Sequence, residues 1–248
     1  FLMTLGYSKI EVINLNTIDD GYRFSFIGGD DMPGISPDLL WGGQLGGFVS
    51  AEASGGRRAG MPENIVSVTG TYDFGNGLTA SFGYEGDGST SNGLATDEGL
   101  DAYGGQFSYL GDQYGLSLTY AKIEPNTPSS DSYTAINGYF DPGIEGVPSI
   151  SAGYEMGDDE DQTGDASELS AYFIGLQWDE FGPGTAGVAL GSQGHYSESE
   201  EEELMYEAYY SYAFNDGMTI TPLIYIKDKS AANVDDETGL LVKTSFSF

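Results

Sequence analysis

From Ile65 to the end of the chain, apolar and polar residues alternate in segments of about ten residues, the length a tilted strand needs to cross a bilayer. The last segment shows the pattern plainly. Leu240, Val242, Thr244, Phe246 and Phe248 share one face, and Leu241, Lys243, Ser245 and Ser247 the other, because successive side chains of a strand point to opposite sides. About eleven such segments follow one another: Ile65 to Phe74, Leu78 to Glu85, Ala102 to Leu110, Tyr114 to Ile123, Tyr133 to Phe140, Pro148 to Met156, Leu169 to Asp179, Thr185 to Gln193, Tyr206 to Phe214, Met218 to Lys227 and Leu240 to Phe248. A single alternating strand suits a soluble sandwich equally well. The connections separate the two readings.

Those connections alternate in kind. Gly75-Asn76-Gly77, Gly111-Asp112-Gln113, the Gly143 to Val147 bend, Phe181-Gly182-Pro183-Gly184 and Asn215-Asp216-Gly217 are short and carry the residues tight hairpins require. Between them lie long polar stretches, Asp87 to Asp101, Pro125 to Ser132, Gly157 to Glu168, Gly194 to Met205 and Asp228 to Gly239, which hold most of the acidic residues. Tight turns at one end and long loops at the other are the asymmetry of outer-membrane barrels, with the turns periplasmic. The expected fold is therefore all-β, a transmembrane antiparallel up-and-down barrel occupying residues 1–248. In residues 1 to 64 three more strands are expected, near Leu2 to Ser8, Asp19 to Phe26 and Leu39 to Ala51, for about fourteen in this chain.

Sorting each strand by face gives an outward set that includes Val66, Val68, Tyr72, Phe82, Leu116, Leu118, Ile174, Tyr212, Ile220 and Ile224. The interleaved inward set is mostly small or polar, which predicts a hydrated lumen. Its pore-lining candidates are Arg23, Asp73, Glu85, Gln106, Glu155, Glu207, Lys227 and Lys243.

Composition agrees with a wall of this kind. Only 39% of residues are hydrophobic, yet there are 18 Tyr, 13 Phe and 38 Gly, a profile that suits aromatic girdles around a wet interior and is too rich in aromatics for a wholly disordered chain. No apolar run reaches the length of a spanning helix. With 39 acidic and 8 basic residues the formal charge is −31, which excludes nucleic acid as a partner and makes cations the natural ones. The chain has no cysteine, so disulfides, thiolate metal sites and a cysteine nucleophile are excluded.

Little here points to chemistry. The single His195 sits beside hydroxyls and the acidic run Glu198 to Glu203, but a triad needs a base held against its nucleophile, and nothing in the spacing supplies one. The acidic strings, with Asp158, Asp159, Asp161, Glu200, Glu201 and Glu202, attract cations diffusely. They lack the spacing of an EF-hand loop, and no specific metal site or cofactor is expected. Gly43-Gly-Gln-Leu-Gly-Gly47 has no helix behind it to serve as a phosphate loop. The basic pair Arg57 and Arg58 has three open readings: facing inward toward carboxylates, binding anionic lipid headgroups, or lying in a solvated loop.

Pro148-Ser-Ile-Ser-Ala-Gly153, Gly175-Leu-Gln-Trp-Asp179, Tyr206-Glu-Ala-Tyr-Tyr210, Ile220-Thr-Pro222 and Thr238-Gly-Leu-Leu-Val-Lys-Thr244 resemble the cyanobacterial outer-membrane porins, relatives of the carbohydrate-selective porins that are sometimes labelled iron-uptake porins. The resemblance is dense from Tyr139 to Phe248 and looser, though collinear, back to Ile65. Before that, Leu5-Gly-Tyr7 and Tyr22-Arg-Phe24 are similar to early barrel strands of the family, whereas Ser36 to Asn64 departs from it. The resemblance implies a barrel of about sixteen strands, a usual size for an aqueous channel, whose first strands lie upstream of Phe1. It also implies a preceding S-layer-homology domain that grips cell-wall polymer, a homotrimer, and passive diffusion of small solutes, chiefly inorganic ions.

The expected function is thus a non-enzymatic diffusion channel in the outer membrane, with lipid and small ions as partners and an acidic extracellular mouth. The alternative is a structural barrel that anchors the outer membrane to the wall, with conduction incidental.

Overall fold

The computed structural model describes residues 4–5, 8–18, 65–87, 94–96, 101–124, 130–192, 196–197, 199, 201–229 and 235–247. Its strands are β1 (Thr4–Leu5), β2 (Ser8–Ile18), β3 (Ile65–Gly75), β4 (Leu78–Asp87), β5 (Asp101–Leu110), β6 (Tyr114–Glu124), β7 (Asp131–Phe140), β8 (Ser149–Asp159), β9 (Glu168–Phe181), β10 (Gly184–Ser192), β11 (Tyr196–Ser197), β12 (Leu204–Asn215), β13 (Met218–Lys227) and β14 (Glu237–Phe246). Each strand pairs antiparallel with its sequence neighbours in one sheet, except the two-residue β11, which folds back onto β9. The alternation was a sound guide: every segment expected from Ile65 onward is a strand. The sheet is an up-and-down meander, and among the described residues no ladder joins β1 to β14.

The five short connections fall at one rim. At the β3–β4 turn Asn76 and Gly77 both have positive φ, 54° and 83°, the conformation that makes Asn-Gly the preferred two-residue hairpin loop. The long polar connections fall at the opposite rim, as antiparallel order requires. Within the β10–β12 connection, Tyr196 and Ser197 pair with Ser170 and Leu169 of β9.

Among the described residues, the two ends of the sheet compare with the sequence reading in different ways. β2 runs from Ser8 to Ile18, where no strand was expected; its register shifts between Ile10 and Val12, and a bulge of that kind interrupts the period-two pattern. Strands near Asp19 to Phe26 and Leu39 to Ala51 lie outside the described residues. The last strand runs Glu237–Phe246, Phe246 pairing with Met218 at the start of β13, and the Ser247 amide bonds the Gly217 carbonyl; Phe248 lies outside the described residues.

Pro222 lies inside β13. The β12–β13 ladder breaks there, passing from Tyr209↔Leu223 to Tyr212↔Ile220, as a residue without an N–H requires.

The outward face is apolar and exposed over its middle. Phe82, Phe107, Leu116, Leu118, Ile136, Ile150, Ile174 and Ile224 all project from the sheet, Phe107 at 63% exposure. Toward the long-loop rim this band gives way to tyrosines whose hydroxyls find polar partners. Tyr84 donates to Asp101 at 2.5 Å, Tyr103 to Glu124 at 3.5 Å and Tyr172 to Glu202, and Tyr154 shares a hydrogen bond with Ser170 at 3.1 Å. Near the short-turn rim Phe74, Tyr114, Phe140, Tyr212, Phe214 and Phe246 form a second aromatic row. Two amphipathic aromatic rows bounding an aliphatic belt are the arrangement a bilayer selects.

Leu118→Arg, in the middle of that belt, is expected to cost about 2–4 kcal/mol in phospholipid vesicles, measured by denaturant unfolding of the refolded protein. Asp161→Arg, in an exposed connection, is expected to change stability by less than about 0.5 kcal/mol.

Candidate functional site

The inward face of β3 to β8 is built in rows set by strand register. One row runs Asp73, Thr79, Ser108, Ser117, Asn137, Gly153 and the next Thr71, Ser81, Gln106, Thr119, Ala135, Glu155. Neighbours within a row bond to one another: Thr71 and Ser81 at 2.9 Å, Thr79 and Ser108 at 2.6 Å, and the Gln106 amide to the Thr119 hydroxyl at 2.6 Å. Each hydroxyl so occupied is held in place, which presents a fixed polar lattice.

The inward face of β9 to β13 differs. Ala171, Phe173, Ala189, Met205, Tyr209 and Leu223 form one buried apolar cluster, with Tyr225 and Leu241 packed against it. Alternation by itself did not separate this patch, because β9 carries Tyr172, Phe173 and Ile174 in succession and reads as apolar on both faces. The expectation of an inward set that is mostly small or polar therefore holds for β3 to β6 and for β8, whereas Tyr133 and Tyr139 of β7 and this cluster on β9 to β13 put bulkier side chains on the inward face.

A recurrent device fits these aromatics to the wall. Tyr139 lies opposite Gly115, Phe173 opposite Gly153, Tyr133 opposite Gly157, Tyr209 opposite Gly187 and Tyr225 opposite Gly239. In every pair the ring occupies the space a glycine Cβ would take. The ring can therefore lie along the wall instead of standing up from it. Tyr209 crosses β10 at Gly187 and its hydroxyl reaches Gln177 on β9 at 2.5 Å; the Gln177 amide in turn donates to Asp179 at 2.6 Å. Composition showed many glycines, but only register reveals which of them face a ring.

The predicted pore-lining residues do not fall on one row. Gln106, Glu155, Glu207 and Lys227 are buried on the inward face, and Asp73 and Lys243 are half-buried on it. Glu155 is fully buried between Ala135 and Ala171, and Glu207 lies between Ala189 and Tyr225. Asp73 accepts the Gly75 amide at 2.6 Å and so shapes the β3–β4 turn. Lys227 closes β13 at the long-loop rim, while Lys243 faces Thr221 in the register of β14 and β13. The backbone of Glu85 pairs with Ala102, but its side chain, with Arg23, Arg57, Arg58, His195 and Glu200, lies outside the described residues. Ser117, Ser151, Glu155 and Met205 have no exposed surface, so at these positions the inner wall is packed rather than wetted.

The long-loop rim carries the acidic strings. Asp159 accepts the Asp161 amide at 3.0 Å and Glu160 the Ser130 amide at 3.0 Å, so these carboxylates stabilise loop backbone. Burial, reinforced by the Glu202 carboxylate, holds the Tyr196 phenol above its ordinary pKa. Among the described residues no three carboxylates or histidines gather where one metal ion would sit.

No protein-family model matches the chain, and no curated protein matches it. Solved structures do. An anion-selective porin from Comamonas acidovorans superposes with a TM-score of 0.58 at 14% identity, over 75% of this chain and 60% of the porin. The Salmonella typhi OmpF complex with daunomycin gives 0.49 at 13% identity over 74% and 62% of the two chains. The KdgM porin in complex with disordered oligogalacturonate gives 0.38 at 11% identity over 74% and 92%. The chain thus has a porin-like β-barrel fold, and it spans 60% of the length of the Comamonas porin.

Gly187→Ala puts a methyl group into the Tyr209 ring and is expected to destabilise the barrel by about 1–3 kcal/mol, read by denaturant unfolding. Adding Tyr209→Ala to that variant is expected to give less than the sum of the two single losses, because the clash then has no partner.

Proposed function

We propose that the chain is the barrel of an outer-membrane porin through which small hydrophilic solutes, chiefly inorganic ions, diffuse passively. The observation that carries this reading is the two-sided wall: an apolar belt between aromatic rows outside, and bonded rows of hydroxyls and an amide inside. A wall with those faces suits lipid on one side and polar solutes on the other. No group is asked to do chemistry.

The charge balance of −31 supports a preference for cations, since a surface of one sign concentrates counter-ions at its mouth. Glu155 and Glu207 are the inner-wall carboxylates this reading makes decisive. Resemblance to the cyanobacterial porins supports a cyanobacterial outer membrane, a homotrimer and attachment to cell-wall polymer through a preceding domain. A second reading, a barrel that mainly anchors the outer membrane to the wall, is favoured by one observation: the complete burial of Ser117, Ser151, Glu155 and Met205 on the inner face.

In a planar bilayer under a KCl gradient the protein is expected to form stable channels with a cation-directed reversal potential. Glu155→Gln with Glu207→Gln is expected to move that potential toward zero. Channels whose selectivity ignores both substitutions would remove these residues from the conduction path, and absence of conductance would overturn the porin reading in favour of the anchor.

A further inference from the structure

At the short-turn rim the β8–β9 ladder stops short of the end of β9. The ladders between β4 and β5, β6 and β7, and β13 and β14 each continue into the neighbouring turn by a backbone hydrogen bond: Leu110 to Gly77 at 2.9 Å, Asp141 to Gln113 at 2.6 Å, and Ser247 to Gly217 at 2.9 Å. Between β8 and β9 the last pair is Ser149↔Gln177, yet β9 runs on to Phe181. Of these residues Trp178 and Phe181 pair with β10, and no backbone hydrogen bond joins residues 178–181 to the 141–148 connection beside them.

This overhang forms one wall of a cleft of about 350 Å3, and the β7–β8 connection forms the other. Asp141, Glu145, Asp179 and Glu180 line it together with Ile144 and Trp178, and no basic residue does. Asp179 is held in position by Gln177, which Tyr209 holds in turn, and Asp141 is held by the Gly143 amide at 2.8 Å. Glu145 and Glu180 are exposed and form no ion pair among the described residues. The four carboxylates do not converge as a metal site, so they suit a ligand whose positive charge is spread along its length.

An open strand edge, a cleft beside it and carboxylates along both sides are the elements of strand addition: main-chain hydrogen bonds provide affinity, and flanking side chains provide specificity. We propose that the overhang of β9 at the short-turn rim docks an extended basic peptide segment of a partner protein, its backbone pairing with Trp178 to Phe181 and its lysine or arginine side chains meeting Glu145 and Glu180. The proposal rests on the barrel reading only in taking the short turns as one rim, and does not require that the barrel conduct.

The test uses the full chain in detergent micelles with Trp41→Phe, so that Trp178, one of two tryptophans, is the sole indole, and a short peptide alternating lysine and valine. The peptide is expected to shift Trp178 fluorescence saturably. Replacing its central residue with proline, or introducing Glu145→Gln with Glu180→Gln into the protein, is expected to weaken binding at least tenfold. No saturable shift overturns the proposal. So does equal binding of the proline peptide, of the Gln variant, or of a linear triamine, since each would leave only general attraction to an acidic protein. Circular dichroism of the Gln variant establishes that it is folded. Conductance of the same preparation is read separately, so lost docking with intact channels overturns the docking site alone.

Discussion

A wall one strand thick has to satisfy every backbone N–H and C=O sideways, within the sheet, because neither of its faces offers partners to the main chain. That constraint organises this molecule. It imposes the unbroken antiparallel order from β1 to β14 and leaves side chains free to answer to the surroundings of each face. It also makes local departures from the ladder informative. The skip opposite Pro222 is a missing donor, and the Ser247 amide extends the last ladder by one bond. The overhang of β9 beyond Gln177 is one place at the short-turn rim where a ladder stops short of a strand's end.

Once the backbone is satisfied, the inner face becomes a problem of volume. Rings as large as Tyr209 and Phe173 fit on the concave side because the residue opposite each has no side chain, so a ring lies across the neighbouring strand. The glycines thus have a different purpose here from the positive-φ pair at the β3–β4 turn, where the requirement is conformational. The result is an inner wall of two characters. Bonded hydroxyl and amide rows line β3 to β8, and an apolar cluster lines β9 to β13. Glu155 stands between Ala135 and Ala171, and Glu207 between Ala189 and Tyr225, within that wall.

The electrostatics follow from where the carboxylates lie. Several of the described carboxylates at the long-loop rim are occupied with loop backbone and tyrosine hydroxyls, as in Ser130 to Glu160 and Tyr172 to Glu202. These carboxylates therefore shape the loops as well as adding to the negative charge at that rim.

Strand alternation and turn chemistry, both local properties, were legible without a structure. Leu116, Leu118 and Tyr120 declare one face of β6, and Asn76-Gly77 declares a hairpin, because period and turn type depend on residues close together in sequence. β2 escaped because a bulge after Ile10 shifts the phase on which that reading depends. The chain by itself thus determined the class of fold, the direction of most side chains and the asymmetry of the two rims. Only the tertiary structure decided which glycine meets which ring, that Glu155 is framed by Ala135 and Ala171, and that β9 outruns β8. These are facts of register between strands, and register is a relation between segments that no single segment encodes.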